Sequence, residues 1–260
     1  MIGVFDSGLG GLSVLAAIAR ALPHADLTYV ADTAHVPYGS RSDDFIRGRV
    51  LAIGDHLIDS GCRMLVVACN TATAAAVTEL RHRHPGVPVV GVEPGVKPAA
   101  AASRSRRIAV LATEATASSE RLARLIRDHA GDVEVIIRAC PGWATRVEML
   151  HFEEGDFRAE IAATVAPLLA AGADRLVLGC THYSFLVPAL APLVDGRAEL
   201  VDVAEAVARQ AVRLIGNAPG NCRLQLFATA HPERLHAALS ALDLNWLAAR
   251  SDAPAKQIAI

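Results

Sequence analysis

Short apolar runs rich in Val, Ile and Leu punctuate the chain at regular intervals. They fall at residues 2–5, 27–31, 64–68, 89–92, 108–112, 133–139, 175–179, 199–201 and 224–227. Most are separated by longer stretches in which apolar positions recur every three or four residues, at 12–22, 45–60, 73–83, 118–130, 156–171 and 203–215. The short runs predict strands and the periodic stretches predict helices. Their alternation predicts an α/β fold: doubly wound, mainly parallel sheets covered by helices on both faces.

Polar residues collect where a predicted strand meets the next helix. These junctions are Asp6-Ser7, Asp32-Thr33, Cys69-Asn70-Thr71, Glu93, Thr113 and Cys180-Thr181-His182. Open α/β sheets bind ligands outside the carboxyl ends of their strands, so topology would gather such residues. The Pro-, Ala- and Ser-rich segment 94–105 reads as a linker, and a second junction is expected at 201–205. These two breaks are the candidate boundaries between halves of the chain. Residues 217–221 read as a loop and 251–260 as a frayed tail.

Composition narrows the class without naming a function. The 260 residues are 52% hydrophobic with a formal net charge of -2, so no acidic or basic excess argues for nucleic acid or a membrane surface. No basic segment followed by a cleavable apolar stretch opens the chain, and no apolar run approaches bilayer length, so a soluble cytoplasmic protein is expected. The five cysteines are widely spaced, with no Cys-x-x-Cys pair, which argues against a disulfide framework or a structural zinc site.

Two of those cysteines stand apart. Cys69 ends Leu65-Val66-Val67-Ala68, and Cys180 ends Leu176-Val177-Leu178-Gly179. Each is followed by hydroxyl or amide residues, and a helix N-terminus there would lower a thiol pKa from about 8.5. A buried cysteine is usually inert packing, but two in matching settings favour a site built from related halves. Cys62, Cys140 and Cys222 lack that context and read as structural. His182 is a candidate proton partner, His35 a weaker one, and His82, His84 and His236 read as solvent-facing. The turn Asp6-Ser7-Gly8-Leu9-Gly10-Gly11 reads either as an anion-binding helix start or as a tight turn in which Asp6 or Ser7 caps the helix. Tyr38, in Pro37-Tyr38-Gly39-Ser40, is either a ligand contact or ordinary loop.

Taken in order, the segments Phe5 to Gly11, Ala31 to Gly39, Ala68-Cys69-Asn70-Thr71-Ala72, Leu111-Ala112-Thr113, Gly179-Cys180-Thr181-His182-Tyr183 and Ala230 to Arg234 are jointly specific. With them the chain resembles the bacterial glutamate racemases of the cofactor-independent aspartate/glutamate racemase superfamily. Ser184 stands where that family usually has proline, and Val203 where it often has serine. The resemblance implies two similar α/β domains, residues 1–94 with 206–260 and an inserted domain at 95–205, with glutamate bound at their interface, no cofactor, no metal and a homodimer. It implies that Cys69 and Cys180 are the catalytic pair, assisted by Asp6, His182 and Glu148. Asp6, Ser7, Tyr38, Gly39, Asn70, Thr71, Thr181 and His182 would bind glutamate, with Thr113 and Thr116 as secondary contacts. A related superfamily isomerase acting on aspartate, a hydantoin or maleate is the alternative, and a thiol hydrolase using Cys180 and His182 is a rival of another class.

Overall fold

The nine apolar runs each form a strand and a tenth, polar strand lies near the carboxyl end, among the described residues, which are all but Asn217 and Asp252 of the computed structural model. They are β1 Ile2–Asp6, β2 Leu27–Ala31, β3 Leu65–Val67, β4 Val89–Gly91, β5 Arg107–Ala112, β6 Glu134–Ala139, β7 Arg175–Leu178, β8 Glu199–Val201, β9 Leu224–Ala228 and β10 Lys256–Gln257. The helices are α1 Leu12–Ala21, α2 Asp43–Asp59, α3 Asn70–Arg83, α4 Val96–Ala102, α5 Glu114–Ala117, α6 Glu120–His129, α7 Trp143–Glu148, α8 Gly155–Ala170, α9 Val187–Val194, α10 Ala204–Ile215, α11 Pro232–Ala241 and α12 Asn245–Ala248. Two further segments, Tyr38–Ser40 and Thr181–Leu186, are 3-10 turns.

The chain divides into two compact units, Met1–Val92 with Ala204–Ile260, and Glu93–Val203. The first holds a six-stranded sheet in the order β10-β9-β2-β1-β3-β4; the second holds four strands in the order β6-β5-β7-β8. Every pairing among the described residues is parallel. Central parallel strands bury both faces, so they read as continuous apolar runs rather than alternating ones. Leu65, Val66 and Val67 in β3 and Leu176 and Val177 in β7 are fully buried.

Each unit has its own core. In the first, Ile46, Val50 and Ile53 of α2 and Ala76 and Leu80 of α3 pack against Phe5, Val30 and Val67 of the sheet. In the second, one face of the sheet packs Trp143, Phe157, Ile161 and Tyr183 against Leu111, Leu176 and Leu178. The other face packs Val96, Ala99 and Leu122 against Ile108, Val110 and Val177. The Trp143 ring meets those of Phe157 and Tyr183 edge-on, at 5.9 and 5.4 Å between centroids. Full burial of one such side chain contributes about 1.5–3 kcal/mol.

Several expected elements differ. The predicted linker 94–105 contains α4, because Val96, Ala99 and Ala100 face the sheet and Pro98 sits in the first turn, where it needs no hydrogen-bond partner. The predicted helix 118–130 is α6, started at Ser119, whose hydroxyl accepts from Leu122 N at 3.2 Å, and the short α5 precedes it as an element of its own. The predicted frayed tail is anchored: β10 pairs with β9, Ile258 N donates to Ala228 O at 3.0 Å, and Ile258 and Ile260 pack on the first core. Of the predicted loop 217–221, residue 217 lies outside the described residues; Asn221 N donates to Asp26 Oδ1 at 2.9 Å.

Candidate active site

Strand order fixes where a site can form. In the first sheet β1 connects to β2 on one side, while β3 lies on its other side; this reversal marks the switch point, at the carboxyl ends of β1 and β3. Those ends carry Asp6-Ser7 and Cys69. In the second sheet the reversal lies between β5 and β7, whose ends carry Thr113 and Cys180. The two candidate thiols therefore occupy the same topological address in their respective units.

At the first address, Cys69 is the N-cap of α3, and its Sγ accepts from Ala72 N at 3.5 Å. Ser7 Oγ lies 3.8 Å from that sulfur and donates to Asp6 Oδ1 at 3.0 Å. Asp6 is fully buried and Ser7 nearly so. Neither caps α1, whose N-cap is Gly11 with no side-chain bond. The glycine is required by close approach: a Cβ there would lie 2.7 Å from Asp6 Cβ and 2.9 Å from Tyr29 Oη. The sharp turn thus brings the helix start against the end of β1 and leaves Asp6 and Ser7 for Cys69.

Asn70 and Thr71 open α3 and are also buried. Neither amide atom of Asn70 has a hydrogen-bond partner among the described residues. A buried polar group left unpaired costs about 1–3 kcal/mol. Such a cost at a helix N-terminus beside a buried thiol, where main-chain N–H groups also point outward, marks a place built to receive polar atoms.

Tyr38 is held by a partner within the fold. Its Oη donates to Asp32 Oδ2 at 2.6 Å, and the ring is buried in the same cluster as Cys69. Asp32, fully buried, also accepts from Arg49 Nε and Nη2, each at 2.9 Å, and from Thr229 Oγ1 at 2.8 Å. Burial alone would raise the Asp32 carboxyl pKa, but the bonds from Arg49, Tyr38 and Thr229 hold it below the usual carboxylate value. Burial and the adjacent Asp32 charge push the Tyr38 phenol far above its ordinary range. Gly39, half-buried, follows in the same 3-10 turn.

At the second address, Cys180 precedes a 3-10 turn and makes no side-chain cap, so an α-helix dipole does not act on this thiol as expected. Its partner is His182, whose Nδ1 lies 3.6 Å from Cys180 Sγ. His182 Nε2 lies 2.5 Å from Glu148 Oε1. Burial opposes charge on this imidazole, but the sulfur and the Glu148 carboxylate prevail, and its pKa stands well above the ordinary histidine value. Glu148 reaches His182 because α7 packs on the turn that carries it, held by Trp143 Nε1 donating to Glu160 Oε1 at 3.0 Å. Thr181, between the two, is buried.

The Asp/Glu/hydantoin racemase family matches this chain over residues 2–211, a stretch containing both cysteine motifs. The chain belongs to that family. A glutamate racemase from Ectopseudomonas mendocina is 52% identical to it over 215 residues, covering 83% of this chain and 82% of that protein. Among solved structures, Escherichia coli glutamate racemase, in complex with L-glutamate and the activator UDP-MurNAc-ala, is 31% identical with a TM-score of 0.84, covering 93% of this chain and 94% of that one. Glutamate racemase isoform RacE1 from Bacillus anthracis is 27% identical with a TM-score of 0.86, covering 100% of this chain and 97% of that one.

The remaining candidates of this family member are accounted for locally. Thr113 caps α5, accepting from Thr116 N at 3.2 Å and donating to Thr116 Oγ1 at 3.1 Å. His35 meets Phe45 edge-on, and His84, expected to face solvent, lies 2.7 Å from Asp55 Oδ1. Cys62 and Cys140 are buried, and burial pushes their thiols up to about 11 and about 12. Cys222, half-buried, lies 3.6 Å from His24 Nδ1. The residue the sequence did not single out is Arg49. It sits seventeen positions beyond Asp32 on a predicted helix, and nothing in its local pattern separates it from a surface arginine.

Proposed function

We propose that the chain interconverts L- and D-glutamate by direct proton transfer at the α-carbon, with Cys69 and Cys180 as the two acid/base groups. The observation that carries this reading is the pair of buried thiols at the switch points of two parallel sheets, each beside buried polar side chains. The names of its family relatives point to glutamate as substrate.

Inverting a tetrahedral carbon requires a proton to leave one face and another to arrive at the opposite face. Two groups, one deprotonated and one protonated, do this without either moving around the substrate. With L-glutamate, the Cys180 thiolate takes the α-proton and becomes a thiol. The Cys69 thiol gives its proton to the other face and becomes a thiolate. With D-glutamate the roles exchange. The carbanion needs donors aimed at the α-carboxylate, where negative charge accumulates. Asn70, Thr71 and the main chain at the α3 start suit that task, as do Thr181 and His182 in the other unit. Asp6 and Ser7 serve the ammonium and Cys69, Gly39 contributes main chain, and the Thr113–Thr116 pair lies further out. No cofactor enters this scheme.

The product D-glutamate would supply peptidoglycan synthesis in the cytoplasm, with the chain acting as a homodimer; gel filtration with light scattering tests the last point. The decisive assay is incubation of purified protein with each glutamate enantiomer in D2O, without added cofactor. Circular dichroism should decay to zero from either side, and the newly formed enantiomer should carry deuterium at the α-carbon. Turnover of aspartate, a hydantoin or maleate in place of glutamate would move the substrate within the superfamily. The Cys180–His182–Glu148 chain also fits a thiol hydrolase; that reading expects an acyl-enzyme burst and indifference to loss of Cys69.

A further inference from the structure

We propose that Asp32 and Arg49 are positioning residues that clamp the Tyr38 ring and its loop beside Cys69, so that the half-site keeps its shape for glutamate. This deepens the racemase reading and rests on Cys69 acting on glutamate. Residues 32–42 hold only one short 3-10 turn, yet their placement is over-determined. Asp32 accepts four hydrogen bonds from three side chains, one of them the Tyr38 hydroxyl at 2.6 Å. Arg49 Nη1 donates onward to the main-chain oxygen of Ile260 at 2.6 Å. Ala34 N donates to Thr229 Oγ1, and Ala230 N to Thr33 Oγ1, both at 3.0 Å, stitching the loop to the end of β9.

A buried ion pair of this kind adds little net stability, because desolvation offsets its Coulomb attraction. What it does supply is direction. The bidentate arginine fork fixes the carboxylate plane, and the carboxylate fixes the phenol. The Tyr38–Ser40 turn packs on α3, the helix that Cys69 caps, so this orientation is transmitted to the wall beside the thiol. The hydroxyl is thus held by Asp32, and the ring is buried in the same core cluster as Cys69.

Two variants test this: Arg49→Gln, which removes the fork, and Tyr38→Phe, which removes only the hydroxyl and leaves the ion pair. Iodoacetamide labelling at fixed pH is followed cysteine by cysteine by mass spectrometry, and glutamate kinetics are measured beside it. Cys69 labelling should rise about tenfold in both variants while Cys62, buried in the same core, keeps its rate. The KM for both enantiomers should rise about tenfold with kcat within about threefold, and Arg49→Lys should recover only part because it lacks the fork. Unchanged Cys69 labelling and KM, or Cys62 labelling that rises in step with Cys69, would overturn the clamp. If the parent protein does not racemise glutamate, the functional reading falls, and the Cys69-to-Cys62 comparison still decides the clamp.

Discussion

The Cys69 and Cys180 half-sites share a topological address and differ in nearly everything else. Cys69 caps a long α-helix and sits among a hydroxyl, an unpaired amide and the Asp32–Tyr38 clamp. Cys180 lacks the helix and has instead an imidazole backed by a carboxylate. Sheet topology thus decides where a thiol is delivered, whereas the side chains around it decide what it meets there. One half-site is rich in fixed dipoles; the other carries a titratable chain of three residues.

The largest expected effect tests whether both halves are needed. Cys69→Ala and Cys180→Ala should each lower racemisation by about 10^3-fold or more, since the proposed mechanism needs both thiols as proton carriers. A single variant retaining near-parental turnover would break the symmetry of roles. Next comes the difference between the halves. Glu148→Gln should lower kcat by about 10–100-fold, and more for L-glutamate, the enantiomer assigned to Cys180. Equal losses from both enantiomers, measured by initial rates, would show that the imidazole serves both thiols.

The halves should also part company with pH. The folded state holds the His182 proton more tightly than the unfolded chain does. Its contribution is complete below about pH 6.5 and is lost as pH climbs through the raised folded value. The lowered Asp32 pKa acts in the opposite sense. Its contribution is present above about pH 3.9 and is lost as pH falls through the folded value. Thermal melting across pH should show Glu148→Gln weakening only the alkaline dependence and Arg49→Gln only the acid one. The smallest effect is at Asn70. Asn70→Ala should leave stability unchanged or raise it by about 1 kcal/mol, since it removes an unpaired buried amide, while raising the glutamate KM; a melting curve with kinetics separates the two.

The sheets and both thiols were legible because central parallel strands are continuous apolar runs and their ends are polar. The missed elements had other causes. Prolines at 98, 188 and 192 disguised α4 and α9, although each helix buries an apolar face. The tail looked frayed because β10 is only two residues long and depends on β9 for its bonds. Tyr38 shares a core cluster with Cys69, but its hydroxyl partner depends on Asp32 and Arg49, residues joined only by the fold. The pairing of Glu148 with His182, thirty-four positions apart, is set by how α7 packs and has no local signature.

The two cysteine motifs also differ by a single methyl group one step upstream. Ala68 N donates to Phe5 O at 2.8 Å, and Gly179 N donates to Leu111 O at 2.7 Å, so the two positions are equivalent. Yet a Cβ at Gly179 would lie 2.7 Å from the Leu111 carbonyl oxygen, a main-chain atom that cannot rotate away. Exchange between the halves is therefore one-directional. A chimera carrying the Gly-Cys step in the first unit should fold with a modest loss, whereas one carrying Ala-Cys in the second should strain the strand that delivers Cys180. For anyone recombining these motifs, the second unit is the template that cannot be overwritten.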